Sequence, residues 1–139
     1  MPEVAGMKVK LAVAISMLGL IAYVMPMLAH HSVESEYDVS KMVTIQGVVT
    51  KIEWSNPHTY FYLDVTQPDG KVVNWGMEMG SPNGLMRQGW TRNTMKIGDV
   101  VTVEGSLAKD GSHIGNARAV ILASTGKRLF AASSQGQTP

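Results

Sequence analysis

Short stretches in which apolar and polar residues alternate, separated by turn signals, fill the sequence from Met42 onward. A period of two is typical of strands that bury one face, so the chain is predicted to be mainly β. The predicted strands cover residues 42–54, 58–66, 71–79, 100–107 and 116–123, with a last short run at 127–131. Within the first strand the apolar positions change phase between Val49 and Ile52, which predicts a β-bulge.

One segment departs from this alternation. Ser81 and Pro82 are typical of an N-cap followed by a proline in the first helical position, and Gly89 is typical of a helix end. A short helix is therefore predicted between the third and fourth strands. This all-β order with one short helix is that of an OB-fold, a small five-stranded barrel. A β-sandwich is the competing architecture, but it usually needs about seven strands of similar length.

The N-terminal region differs in composition from the rest. Lys8 and Lys10 precede an uncharged and mostly apolar run over residues 11–25, which is the pattern of a secretory signal. Ala29 fits the small residue before a signal-peptidase cut, so residues 1–29 are predicted to be a signal peptide. An uncleaved anchor helix, the expected membrane contact in that case, is the alternative. A periplasmic or secreted location follows from either interpretation.

The remaining sequence divides by composition into three parts. A polar lead-in covers residues 30–41, the barrel domain covers 42–132, and the polar tail at 133–139 is predicted to be disordered. The whole chain has 139 residues, with 12 Lys and Arg against 11 Asp and Glu. Because phosphate binding needs a surplus of cations, nucleic acid is not an expected partner. The absence of cysteine excludes disulfides, thiolate zinc sites and cysteine nucleophiles.

Several short motifs follow one another along the chain. They are Ala29-His30-His31-Ser32, Glu36-Tyr37-Asp38, Trp54-x-Asn56-Pro57-His58, Glu78-Met79-Gly80-Ser81-Pro82-Asn83 and Gly98-Asp99-Val100-x-Thr102-Val103-x-Gly105. Together they resemble the bacterial domain-of-unknown-function family 6152, a family of small exported proteins. Two places depart from its pattern: Val33 stands where an aromatic residue is more common, and residues 112–115 are unusual. The resemblance implies export and a small β-barrel, and it implies no particular activity.

The histidines predict a metal site. Cleavage after residue 29 would place His30 at the N-terminus, followed by His31, and the α-amine and imidazole of one residue chelate Cu(II) or Ni(II) well. His58, on a proline-stiffened turn, is the candidate second imidazole, and Glu36 is a candidate oxygen ligand. The copper-type site predicted here therefore consists of His30, His31, His58 and Glu36. The alternative is that the terminal histidines are solvated and that His58 only hydrogen-bonds its turn.

Two methionines and one further histidine are also candidates. Met77 and Met79 lie on the same face of the third predicted strand, where two thioethers could hold Cu(I). Because Val73 and Trp75 share that face, the sequence favours a core role for both methionines. His113 lies in a predicted loop and is expected at the surface without a partner.

Four aromatic residues could form a ligand-binding face. Trp54, Tyr60, Tyr62 and Trp75 could provide the stacking surface that OB-folds present to ligands, here a glycan or a peptide. The competing interpretation is that the two tryptophans fill the barrel while the two tyrosines lie half-buried at its rim. For the tryptophans the second interpretation is favoured.

Charged residues give little sign of catalysis. Asp64 and Glu78 are predicted on the outward sides of neighbouring strands, with Glu53 near the bend, and paired carboxylates can support acid–base chemistry. Outward charges on strands more often solvate the sheet or pair across it. Arg87 and Arg92, near the predicted helix, are either a small anion patch or plain surface. No nucleophile or phosphate-loop motif is present, so an enzyme is not expected.

Taken together, the sequence favours an exported accessory protein that captures and delivers a copper-type ion without turnover. The second hypothesis is a structural or interaction module that binds an envelope protein or a glycan through one face of the barrel.

Overall fold

The computed structural model describes residues 33–132 of the chain. Its elements are α1 (Val33–Glu36), β1 (Val43–Glu53), β2 (Tyr60–Thr66), β3 (Val72–Glu78), α2 (Pro82–Arg87), β4 (Val100–Leu107), β5 (Ile114–Leu122) and β6 (Arg128–Phe130). Every predicted strand is present, and the predicted helix is α2. The short helix α1 was not predicted, because its four residues lie in the polar lead-in.

The strands form a closed barrel of the predicted type. Neighbouring strands follow the order β3-β2-β1-β4-β5-β6, and a further pairing joins β3 to β5. That last pairing is parallel, matches Gly76 with Ile114 and Glu78 with Asn116, and closes the five-stranded barrel. The helix α2 lies between β3 and β4 in the chain. The OB-fold-like prediction is therefore confirmed, and β6 extends the sheet along part of β5.

Strand β1 belongs to both halves of the barrel. Its first half pairs with β4 from Val43 to Val48, and its second half pairs with β2 from Val48 to Glu53. The register against β2 shifts between Val49 and Lys51, which confirms the predicted bulge. At Gly47 a Cβ atom would lie 2.4 Å from the backbone oxygen of Asp64, so this close approach of strands requires glycine.

The barrel interior is filled by the inward positions of the strands. Met77 and Met79 are fully buried, as the core interpretation predicts. Trp54 and Trp75 are half-buried and pack against the same core. Trp90, which follows α2, is almost fully buried, and its indole nitrogen donates a hydrogen bond to the carbonyl of Phe130 at 2.8 Å. This bond ties the segment after the helix to β6.

Several predictions concern residues that the structure does not describe. The predicted signal peptide at 1–29, the histidines His30 and His31, and the tail at 133–139 all lie outside residues 33–132. Among the helices of the described part, none has the length and apolar character needed to cross a membrane.

Candidate functional site

A buried carboxylate lies at the end of β3, where the outer surface of the barrel was expected to carry a solvated charge. Glu78 is on the outward side of β3, as predicted, but it is only 7% exposed, so the expectation that it is solvated is wrong. Its Oε2 atom accepts a hydrogen bond of 2.6 Å from the hydroxyl of Tyr37. Its Oε1 atom lies 3.0 Å from Nδ1 of His58. We call the group formed by Tyr37, His58, Tyr60, Glu78 and Asn116 the Glu78 corner.

Long-range pairing explains why the Glu78 corner is buried. Glu78 lies opposite Tyr60 in the β2–β3 ladder and beside Asn116 in the β3–β5 ladder, so these side chains share the outer face. Tyr37 covers them, because a bridge to Ala108 attaches it to the end of β4. The carboxylate of Glu78 is thus enclosed by residues far from it in sequence.

The imidazole of His58 has a defined proton position. Its Nδ1 atom lies within hydrogen-bonding distance of two acceptors, the Glu78 carboxylate at 3.0 Å and the Met79 carbonyl at 3.2 Å. A carbonyl oxygen can only accept, so Nδ1 carries the proton and, in the neutral ring, Nε2 keeps a free lone pair. No described residue forms a hydrogen bond with Nε2. With a side chain 33% exposed, His58 can present this nitrogen to a ligand.

The two phenols of the Glu78 corner stay protonated. Burial, and then the hydrogen bond to Glu78 and its charge, hold the pKa of Tyr37 well above its usual value. Burial, followed by the charge of Glu78 and a hydrogen bond to it, raises the pKa of Tyr60 to about 12. Both hydroxyls therefore remain neutral donors toward a single carboxylate at ordinary pH.

The predicted metal ligands are only partly within the described residues. His58 occupies the position just described, whereas Glu36 is exposed at the end of α1, with its backbone carbonyl bound to the amide of Lys109. Among residues 33–132 no three His, Cys, Asp or Glu side chains lie close enough together to hold a metal ion. The described part therefore supplies one well-positioned imidazole.

The four aromatic candidates do not share one face. Tyr60 and Tyr62 lie on the outer face of β2, whereas Trp54 and Trp75 pack against the core. The ring of Tyr62 lies over Gly76, where a Cβ atom would be 3.1 Å from the ring. They therefore do not form the continuous stacking surface that the first interpretation required.

The outward face of Tyr62 is also occupied. The ammonium nitrogen of Lys51 lies 5.2 Å from its ring centroid. The hydroxyl of Tyr62 donates to Glu53 at 3.2 Å, and Lys51 also forms an ion pair with Glu53. Asp64 accepts a 2.8 Å hydrogen bond from Asn74 on the neighbouring strand. Glu53 and Asp64 thus make local and cross-strand contacts, as the non-catalytic interpretation predicts.

Two remaining surface predictions have different outcomes. His113 is exposed as expected, but the prediction that it has no partner is wrong. Its ring contacts that of Trp75, with 4.9 Å between the ring centroids. Arg87 and Arg92 are both exposed, in agreement with their interpretation as surface residues.

Sequence reasoning missed the roles of Tyr37, Glu78 and Asn116. A signal for two of them was present, because Tyr37, His58 and Glu78 each belong to a different one of the short motifs described above. Three motifs that are far apart in sequence therefore meet at one point in the fold. Asn116 belongs to none of those motifs, and only the β3–β5 pairing brings it to this corner.

Comparison with protein families gives a match that covers most of the chain. The model of a family described as "Family of unknown function (DUF6152)" matches residues 18–117, which is more than half of the chain. The match includes all five members of the Glu78 corner. None of the curated proteins matches the sequence.

Proposed function

We propose that this chain, which belongs to the DUF6152 family of unknown function, is an exported accessory protein that binds a copper-type metal ion. The observation that carries the proposal is the geometry of His58. Its Nδ1 proton is engaged by the Glu78 carboxylate and the Met79 carbonyl, so that Nε2 is the free nitrogen. Nitrogen of an imidazole is a preferred ligand of Cu(II).

The partners of His58 match those of a metal-binding histidine. Such a histidine usually donates its second ring N–H to a carboxylate or a carbonyl, which fixes the ring and increases its basicity. Glu78 is itself held by Tyr37 at 2.6 Å, so the carboxylate cannot rotate freely. In this proposal Glu78 and Tyr37 are positioning residues, and His58 is the ligand.

A single imidazole does not retain an ion, so further nitrogen donors are required. His30 and His31 are the proposed donors, together with the α-amine that cleavage after Ala29 would release. Glu36 remains a candidate for an oxygen ligand. A site with one ligand on the barrel and the others on the chain end can release its ion, which suits capture and delivery in the periplasm.

The outer aromatic face supports the competing proposal less well. Binding of a glycan through Tyr62 would require an open ring face, but Gly76 lies below this ring and Lys51 lies above it. The metal-binding proposal therefore has the stronger structural support.

The proposal is tested on protein that the cell has exported and processed. Mass spectrometry is expected to identify His30 as the first residue, and titration with Cu(II) is expected to show one tight site. The substitution His58→Ala removes a ligand and should weaken that site by more than the roughly 10- to 100-fold expected for loss of a residue that only positions a ligand. Four alanines added before His30 should weaken it as well, because the α-amine is then too far along the chain to bind the same ion as the imidazole of His30 or His31.

The matched control is His113→Ala, which removes an exposed imidazole that contacts Trp75. This variant should keep the affinity for Cu(II). Equal affinity of the His58→Ala variant and the original protein would refute the role of the barrel imidazole. If the exported protein still carries residues 1–29, the α-amine of His30 cannot be a ligand. The effect of His58→Ala could still be measured in that case.

A further inference from the structure

Strands β1 and β2 pair with each other along only part of their length. Their ladder runs from Glu53 opposite Tyr60 to Val48 opposite Asp64. Beyond this point β1 continues to Val43 and β2 continues to Thr66. A groove of about 610 Å³ lies between the two separated strands. We call this groove the β1–β2 slot.

The backbone of β1 directs unpaired groups into the slot. The amide of Val49 donates to Asp99 and its carbonyl accepts from Gly98, so the backbone of Val49 faces β4. Backbone direction alternates along an antiparallel strand, and the β1–β4 register is regular from residue 43 to 48. The amide and carbonyl groups of Thr44 and Gln46 therefore point away from β4 and toward the slot.

The backbone of β2 does the same from the opposite side. The amide of Thr59 donates to Gly80 on the β3 side, and the amide of Gln67 donates to Lys71. Because the direction alternates, the amide and carbonyl groups of Thr66 face the slot. Within the described residues, β1 and β2 form no ladder pairs beyond Val48 and Asp64, so these groups have no strand partner.

Trp75 adds apolar surface to the slot. Its ring lines the slot, whereas its indole nitrogen is buried away from solvent. The slot is otherwise lined by uncharged side chains, except for Asp64, whose carboxylate accepts from Asn74 at 2.8 Å. Val48 and Val100 are each 42% exposed at its rim. The lining therefore suits an occupant without charge.

We propose that the β1–β2 slot binds an extended, uncharged peptide segment of a partner protein, inserted as a strand between β1 and β2. An extended peptide presents amide and carbonyl groups on both edges, so it can pair with Thr44 and Gln46 on one side and with Thr66 on the other. Its side chains pack against the ring of Trp75, which lines the slot. At the usual rise of a strand the slot takes roughly three to five residues.

This inference is independent of the metal-binding proposal. None of the residues that line the slot belongs to the Glu78 corner. Either proposal can therefore fail without affecting the other.

The test uses the ¹⁵N-labelled full chain and a probe peptide, acetylated and amidated Thr-Val-Thr-Val-Thr. Binding should shift the indole N–H resonance of Trp75 and slow hydrogen exchange at the amides of Thr44, Gln46 and Thr66. Because phenylalanine has a smaller ring and removes apolar contact area from the slot lining, Trp75→Phe should weaken binding of the probe by about fivefold. Trp54→Phe, a half-buried tryptophan outside the slot lining, is the matched control and should leave the affinity unchanged.

A second probe carries N-methyl groups on both valines and therefore lacks two backbone donors. It should bind much more weakly than the first. The proposal is overturned if both probes bind equally, if the affected amides lie elsewhere, or if the first probe does not bind. It is also overturned if protection of the three amides rises with protein concentration alone, since a second copy of the chain would then occupy the slot.

Discussion

The Glu78 corner and the β1–β2 slot are opposite results of the same barrel geometry. At the corner, β3 has a partner on each side, because β5 pairs with its last residues, and Tyr37 covers the outer face. At the slot, β1 loses β2 as a partner and its outward backbone groups stay unpaired. The extra pairing of β3 thus buries Glu78, which holds the Nδ1 side of His58 and leaves its Nε2 atom free for a ligand. Lost pairing leaves backbone groups, which suit recognition of another backbone.

Hydrogen exchange gives the largest expected contrast. The amides of Thr44, Gln46 and Thr66, which face the slot, should exchange quickly in the free protein. Their neighbours Ile45 and Gly47, which face β4, should exchange roughly a thousandfold more slowly, since they open only with the barrel. NMR-detected exchange measures this alternation. Similar rates for both sets would mean that the slot is already filled or paired in solution.

Removal of the carboxylate at the corner should cost the most stability. The substitution Glu78→Ala leaves the buried hydroxyl of Tyr37 without its acceptor and creates a small cavity, which should lower the free energy of unfolding by about 3 kcal/mol. Urea denaturation measures the change. Glu53→Ala removes a partly exposed carboxylate from the outer face and should have a clearly smaller effect. Equal losses in the two variants would contradict the role assigned to burial.

Gly47 lies at the end of the β1–β2 slot where the two strands come together. A larger residue at this position should push β1 and β2 apart. A Cβ atom would meet the backbone oxygen of Asp64 at 2.4 Å, so Gly47→Ala should destabilise the protein by about 2 kcal/mol. Gly76→Ala is the control, because its Cβ would meet the ring of Tyr62, a side chain that can move. Thermal unfolding of both variants compares them. A milder effect at Gly47 than at Gly76 would show that the strands separate there at little cost.

The smallest expected effect concerns alkaline pH at the corner. The pKa of Tyr60 rises from 10.0 to about 12, so the folded state favours the protonated phenol. The stabilising contribution of this phenol is complete below pH 10 and is lost as the pH rises from there toward 12. Denaturation at several pH values should therefore show a steeper alkaline loss for the original protein than for Tyr60→Phe. Parallel curves would exclude this contribution.

The sequence was sufficient for most of the barrel. The alternation of apolar residues located the strands, and the phase change after Val49 located the bulge. Local chemistry was also enough for α2, since Ser81 accepts from the amide of Gly84 as an N-cap should. The helix cap depends on interactions within a few residues, and the strands and the bulge depend on which face of a strand is apolar. Both kinds of feature can be read directly from the order of the residues.

The corner could not be predicted because its burial depends on distant segments. Glu78 follows the outward phase of β3, and that phase normally means exposure. Its burial requires Tyr37 from 41 residues away and a parallel pairing with Asn116. The sequence singled out His58 as a candidate ligand, but its hydrogen-bond partners depend on the same long-range contacts. The alternation of apolar and polar residues shows which face of a strand points to the core. It does not show whether a distant segment covers the other face.

The parallel seam between β3 and β5 has a consequence for how the chain folds. Residues 76–78 can pair only after residues 114–116 have been synthesised. The barrel therefore cannot close before the chain contains β5. Until then β3 has an open edge, able to pair with an edge of another chain. A chain truncated before β5 should therefore aggregate rather than form a smaller stable domain. Light scattering of such a fragment, compared with the intact protein, would measure how strongly this one seam protects solubility.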